Sequence, residues 1–306
     1  MQYSVNLGKL LLTPVLFLML LWAVYVVVTN SDSTDLQKLK FWVELDPFGS
    51  GNRLGLSRAW FLIPFYELGL PFFWAISFLL AMALTILLRC ACGRASIMVL
   101  AGILILSNLY ILQISSHLTR QSLALIFFLI ASQKDGKQYF LFMTLAVLFH
   151  EVVIGLLALS YFFSYFGYHY RSIIIASIGA SAAYYALVAL GELLVGKNVF
   201  DLTQIDGQTS LNYAFVALAA ALFMFMKLEG PAEKIRIIGV TLLIIGMVVG
   251  IDFPLFSERI WSCALFLVIL SLSVCESVLL GNRFKIWAPV LLVVFNASYA
   301  VRFFTT

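Results

Sequence analysis

Hydrophobic residues run along this chain in long unbroken stretches, separated by short polar ones. A membrane-spanning helix needs about 20 mainly apolar residues. Runs of that kind cover 10–29, 70–88, 95–112, 118–132, 138–163, 172–195, 211–226, 237–251, 260–280 and 286–303. The 118–132 run is short and the 138–163 run is long. The pattern predicts an all-α fold, a polytopic membrane helical bundle of about 10 hydrophobic segments. The first run is longer than a signal-peptide core and lacks a small-x-small cleavage site, so it reads as an uncleaved first span. No internal repeat is visible. No polar block exceeds about thirty residues, which predicts one transmembrane domain over 1–306.

Composition agrees with the pattern. Of 306 residues, 63% are hydrophobic and 11% charged, and the mean hydropathy is +1.03. A soluble domain carries about a quarter charged residues. Soluble enzymes, disordered chains and disulfide scaffolds are excluded. The net charge of +4 is spread over short loops, which gives no case for a nucleic-acid partner. Cys90, Cys92, Cys263 and Cys275 form neither a CxxC pair nor a Cys/His cluster at zinc spacing, and read as free thiols.

Lys and Arg orient the segments. Lys9 places the N-terminus inside. Arg89, Arg94, Lys134 and Lys137 then also fall inside, while the outer loop 30–58 carries Lys38, Lys40, Arg53 and Arg58. Strict alternation fails afterwards. If 138–163 crosses once, Lys197, Arg259 and Arg302 lie inside, and Arg171, Lys227, Lys234, Arg236, Arg283 and Lys285 lie outside. The simplest repair is a broken, re-entrant helix in 138–163 that enters from inside, breaks near His150–Glu151 and returns. Each arm of about 13 residues makes about 20 Å of helix, too short to span. His169 and Arg171 then form an inner, topogenic cluster.

Two outer loops follow, 30–69 and 196–210. In the first, Leu36, Leu39 and Val43 have helical spacing among Lys38, Lys40 and Glu44, which predicts a helix lying on the membrane surface. The Gly-Ser-Gly stretch at 49–51 lacks the lysine of a phosphate loop. The polar loop 196–210 reads as a solvated connection, with a lid over a site as the alternative.

Charge within membrane segments costs about 2.5–3.5 kcal/mol per residue on insertion scales, so each instance is a candidate site. Arg120 opens a helix, where its guanidinium and the positive end of the helix dipole both suit an anion; interface snorkelling is the alternative. His150 and Glu151 sit mid-segment. Either could act as general base, or the pair could simply bond two helices together. Arg259 resembles Arg120 in placement, with Glu258 beside it, whereas Arg302 fits snorkelling. His117, Tyr110 and Tyr66 are candidates for a cavity lining. No DxD-type metal site, GxSxG, HExxH, phosphate loop or Rossmann fingerprint occurs, so the inventory suits metal-free chemistry without a cofactor.

Two segments carry a family resemblance. Leu118-Thr-Arg-Gln-Ser-Leu-Ala-Leu-Ile-Phe-Phe-Leu-Ile-Ala131 resembles the Arg-Gln-x-x-Ala helix of EpsG-like proteins, the Wzy-type polymerases of bacterial surface polysaccharides such as O-antigen, capsule and exopolysaccharide. Leu145-Ala-Val-Leu-Phe-His150 resembles the Ala-x-x-Phe-His helix that follows it in the family. Asp32, Asp35 and Ser257-Glu-Arg-Ile260 are looser matches. The specific part covers about 40 residues, and Glu151-Val-Val stand where family members often have small residues.

The resemblance implies a GT-C-like membrane glycosyltransferase in the bacterial inner membrane. It would move a growing glycan from undecaprenyl pyrophosphate to a hydroxyl of a lipid-linked repeat unit at the periplasmic face. Arg120 and Arg259 would hold the pyrophosphate, with Arg53 or Arg58 as a third contact. Gln121 and His117 would join the substrate-binding set, and His150, or else Glu151, would be the base. Membrane lipid and the polyprenyl-linked oligosaccharide are the implied partners, with a chain-length regulator protein left open. The rival readings are a transporter or flippase of lipid-linked oligosaccharide, a membrane acyltransferase acting on glycans, and a structural membrane subunit.

Overall fold

The computed structural model describes residues 7–31, 34–45, 60–195, 209–226, 228 and 230–275, and every regular element among them is helical. The chain divides into two compact units. Among the described residues the first holds 7–150 and 273–275, and the second holds 151–272.

The first unit contains α1 (Leu7–Thr29), α2 (Thr34–Leu45), a 3₁₀ turn (Trp60–Leu62), α3 (Ile63–Glu67), α4 (Phe72–Ala91), α5 (Ala95–Ser107), α6 (Leu109–His117), α7 (Thr119–Ala131) and α8 (Gly136–Phe149). α1 turns a narrow stripe inward, Leu16, Leu20, Val24 and Val28, each four residues from the next. Leu11, Leu18 and Trp22 point outward, as a lipid-facing surface requires. The stripe packs on α4, where Tyr25 stacks on Trp74 at 4.3 Å and Phe17 meets Phe78 edge-on at 5.4 Å. Gly102 lets α5 approach, because a Cβ there would lie 2.8 Å from Leu16 Cδ2. Lys9 Nζ donates to the Cys92 carbonyl. That bond gathers Lys9, Arg89 and Arg94 at one end of the unit, as the charge pattern grouped them.

α2 differs from its sequence reading. Its apolar face, Leu36, Leu39 and Val43, is buried against protein, and the helix packs on α6. Lys40 lies 5.9 Å from the Phe73 ring centroid. An amphipathic helix has the same pattern whether protein or membrane receives its apolar face.

The 95–112 run is likewise not one straight span. α5 and α6 meet at a 67° bend. Asn108 supplies the break: its Oδ1 accepts the Ile111 N–H at 3.1 Å and caps the new helix. α7 is the innermost helix, buried from Thr119 to Ala131 except at Arg120. It packs against α4, α6 and α8.

The second unit contains α9 (Val152–Phe166), α10 (Tyr170–Val195), α11 (Thr209–Phe225), α12 (Gly230–Val249) and α13 (Pro254–Val274), up to residue 272. α12 is central, packing on α9, α10 and α11. Gly239 and Gly246 bring α13 close: a Cβ at the first would collide with Val268, and at the second with Trp261. Two glycines seven residues apart share one helix face and let backbones approach. Near its start, Arg236 is 4% exposed. Its Nε and Nη2 donate to Glu233 at 2.8 and 2.5 Å, and its Nη1 donates to the carbonyls of Phe223 and Met224 at 2.6 and 3.3 Å. Arg236 thereby closes the C-terminal turn of α11, whose last carbonyls lack helical partners.

Four described helices are long and apolar enough to cross a bilayer: Leu7–Thr29, Phe72–Ala91, Tyr170–Leu190 and Ser257–Val274. The bent α5–α6 pair makes a fifth. The protein is a helical membrane protein. The 118–132 run, expected as a span, is α7 and shorter than one, while the 138–163 run is broken, as expected, into α8 and α9, each also shorter than a span. The interruption expected near His150–Glu151 is present. The final run, 286–303, lies outside the described residues, as does loop 196–210 up to residue 208.

Candidate functional site

The site grows from the junction of α6 and α7. One residue, Leu118, separates them, at φ −121° and ψ 52°. Four hydroxyl residues are buried there and each bonds a nearby carbonyl. Ser115 bonds Ile111 at 2.7 Å, Ser116 bonds Gln113 at 2.8 Å, Thr119 bonds Ser116 at 3.0 Å, and Ser122 bonds Ile114 at 3.2 Å. Small hydroxyl side chains that bond back to the backbone let a polar sequence be buried without orphan groups. His117, half-buried, ends α6. Arg120, half-buried, lies in the first turn of α7, and Gln121 beside it is buried. Arg120 is the one charged residue of α7.

α7 and α8 form a packed antiparallel hairpin closed by residues 132–135. Phe127 stacks on Phe149 at 5.4 Å, with 11° between the rings. The start of α7 and the end of α8 therefore share the end of the hairpin opposite its turn. That end carries His117, Arg120, Gln121 and His150. His150 is extended, at φ −161° and ψ 135°, and half-buried. Its amide still bonds the Ala146 carbonyl at 3.2 Å, and the helical path stops there.

Three residues at or near this end are not singled out in the sequence. The Trp60 indole donates to the Leu148 carbonyl at 3.3 Å and its ring lies 5.4 Å from Phe149. Phe61 adds an edge-on contact to Phe149 at 5.1 Å. Nothing local in the sequence marks Trp60, because the contact joins residues 88 apart. Gln113 carries a buried Oε1 with no hydrogen-bond partner among the described residues. Its signal was available: Gln113, His117 and Arg120 follow helical spacing in an otherwise apolar stretch.

The remaining candidates stand apart. Glu151 is exposed and opens the second unit. Arg259 and Glu258 are both exposed on α13 in that unit. Tyr110 is buried and Tyr66 is exposed in the first unit. Tyr66 borders a cavity of about 240 Å³ with Glu44, Leu62 and Phe72. Arg53, Arg58, Asp32 and Arg302 lie outside the described residues. Among the described residues no three His, Cys, Asp or Glu side chains converge as a metal-ligand set.

The hairpin end can do two things chemically. A guanidinium at a helix N-terminus suits a phosphate or pyrophosphate. An imidazole freed from helical geometry can take or give a proton. Comparison with known proteins yields no match: no protein-family model fits the chain, and neither a curated protein nor a solved structure is similar to it.

Proposed function

We propose that the chain is a Wzy-type, EpsG-like polysaccharide polymerase of the bacterial inner membrane, with GT-C-like architecture. The observation that carries this reading is the placement of His117, Arg120, Gln121 and His150 at one end of the α7–α8 hairpin. The family resemblance picked Arg120, Gln121 and His150 from two separate stretches of sequence.

In this mechanism a hydroxyl of the lipid-linked repeat unit attacks the anomeric carbon of the growing glycan. A new glycosidic C–O bond forms, and the bond from the anomeric carbon to the phosphate oxygen breaks. His150 accepts the hydroxyl proton, and undecaprenyl pyrophosphate leaves. Arg120 holds the pyrophosphate as negative charge develops on it, a contact that strengthens toward the transition state. Gln121 and His117 orient sugar hydroxyls, and Gln113 offers its open carbonyl oxygen to another. By the family resemblance Arg53 or Arg58 adds a further anion contact, and Glu151 is the alternative base. A chain-length regulator is a candidate partner.

The bend at Asn108 and the break at His150 also favour a second reading, a transporter of lipid-linked oligosaccharide, since broken helices line transport sites. The test is complementation of polymer formation with Arg120→Ala and His150→Ala, after membrane expression is verified. The polymerase reading expects only single repeat units on a surface-polysaccharide gel. A full ladder from both variants sinks it. Loss of surface single units as well as polymer points to transport.

A further inference from the structure

The second unit has a cavity of about 270 Å³ where the α9–α10 turn meets the start of α12. Its walls include Tyr168, His169, Tyr170, Glu233 and Arg236. That size falls below the usual range for a drug-sized ligand, about 300–1,000 Å³, and suits a compact polar headgroup.

The charge in and around it is unbalanced. Glu233 is already engaged: one oxygen accepts from Arg236 Nη2, the other from Arg236 Nε and the Leu228 amide. Arg236 has five N–H donors. Four go to Glu233, Phe223 and Met224, which leaves one N–H on Nη2 without a partner among the described residues. The Arg236–Glu233 pair is neutral as a whole, so the surplus charge comes from its neighbours. Lys234 Nζ sits 5.9 Å from the centroid of the Tyr168 ring. Arg171 lies in the first turn of α10. His169 is held at the rim by the turn itself. Gly167 has φ +81°, and a Cβ there would lie 3.0 Å from His169 Nε2, so glycine is what allows the imidazole to fold back over the chain.

The depth is marked as well. Tyr161 and Tyr165 are each 78% exposed, and Phe166 and Tyr170 are more than half exposed. Exposed aromatic side chains with polar tips belong at the headgroup level of a bilayer. An anion reaching a cationic cavity at that depth is supplied by lipid. The positive residues Arg171, Lys234 and Arg236 share this end with His169, whereas Asp252 and Glu258 belong to the other end of α12 and the start of α13. By the positive-inside rule this end faces the cytoplasm, where anionic lipids attract basic pockets between helices.

We propose that this cavity binds the phosphate of an anionic lipid headgroup from the cytoplasmic leaflet. Lys234 acts as its outer cationic contact, the His169 imidazole as an outer hydrogen-bonding contact, and the spare N–H of Arg236 as the inner donor. The site lies wholly within the second unit and is independent of the polymerase reading.

The test uses the purified full chain in neutral detergent, by thermal unfolding and native mass spectrometry. Phosphatidylglycerol, phosphatidylcholine and inorganic phosphate are added in separate arms. The expected result is a rise in melting temperature and a retained lipid adduct with phosphatidylglycerol alone. His169→Gln and Lys234→Gln, both at exposed positions, keep the unliganded melting temperature, and Lys234→Gln weakens phosphatidylglycerol binding about fivefold. Equal effects of phosphatidylcholine overturn the charge argument. Equal effects of inorganic phosphate overturn the lipid source. Undiminished phosphatidylglycerol binding in a variant that carries both His169→Gln and Lys234→Gln overturns the site.

Discussion

The Trp60 indole donates its one N–H to the Leu148 carbonyl, two residues before the helical path stops at His150. A helix that ends inside a protein leaves carbonyls without partners. Here a side chain from the 3₁₀ turn before α3 supplies one. Trp60→Phe keeps the ring beside Phe149 and removes the donor. It is expected to cost about 0.5–1.5 kcal/mol, the net worth of one such bond. Amide exchange in a peptide covering 145–152 should quicken, and polymer output should fall. Unchanged exchange would show that the break holds without Trp60.

Gln113→Leu separates function from stability. Its buried Oε1 has no partner, so replacing the amide with an apolar side chain should leave the melting temperature unchanged or raised. Polymer length should nevertheless drop, if a substrate hydroxyl is what that oxygen serves. A clear loss of stability in this variant would mark Gln113 as structural instead.

Arg120→Lys keeps the charge and loses the planar fork. The expected outcome is a shortened ladder with Lys and none with Ala. Equal ladders for the two would mean that the fork geometry at this position is irrelevant.

The α12–α13 contact is tight enough for one methyl to matter. Gly239→Ala is expected to destabilise by about 1–3 kcal/mol, since the new Cβ meets Val268. Adding Val268→Ala should recover part of that loss, because the two sites share one contact. Thermal unfolding of the single and double variants reads both effects. No recovery would move the strain to another neighbour.

The sidedness of the second unit can be read directly. In a cysteine-free background, Arg171→Cys should react with an impermeant maleimide only from the cytoplasmic side, and Glu258→Cys only from the outside. Labelling of position 171 from outside would reverse the unit and remove the leaflet argument.

The sequence marked α1, α4, α10 and α13 well, because each is long and apolar and meets the length requirement by itself. It also marked the break at His150, where two ionisable residues interrupt an apolar run. It misjudged helices whose polarity is absorbed by protein. The start of α12 was read as loop because Glu233, Lys234 and Arg236 are charged, yet Arg236 is buried in a bonded network. The bend at Asn108 was invisible because one asparagine in an apolar stretch does not announce that it will cap a helix. Of the candidate site, Arg120 and His150 stand out in the sequence as ionisable residues in apolar stretches, and Gln121 comes only with the family resemblance. Trp60 does not stand out, because only tertiary packing brings it to Leu148.

The burial of α7 has a consequence for how the protein is made. Its 13 residues give about 20 Å of helix, short of the roughly 30 Å hydrocarbon layer, and nearly all of its surface is taken up by neighbouring helices. Lipid cannot recruit such a helix by itself. α1 and α4 must already stand in the bilayer before α7 has anywhere to go, so α7 joins a frame that earlier helices have set up. Arg120 therefore enters the membrane inside a prepared polar lining and never crosses bare lipid.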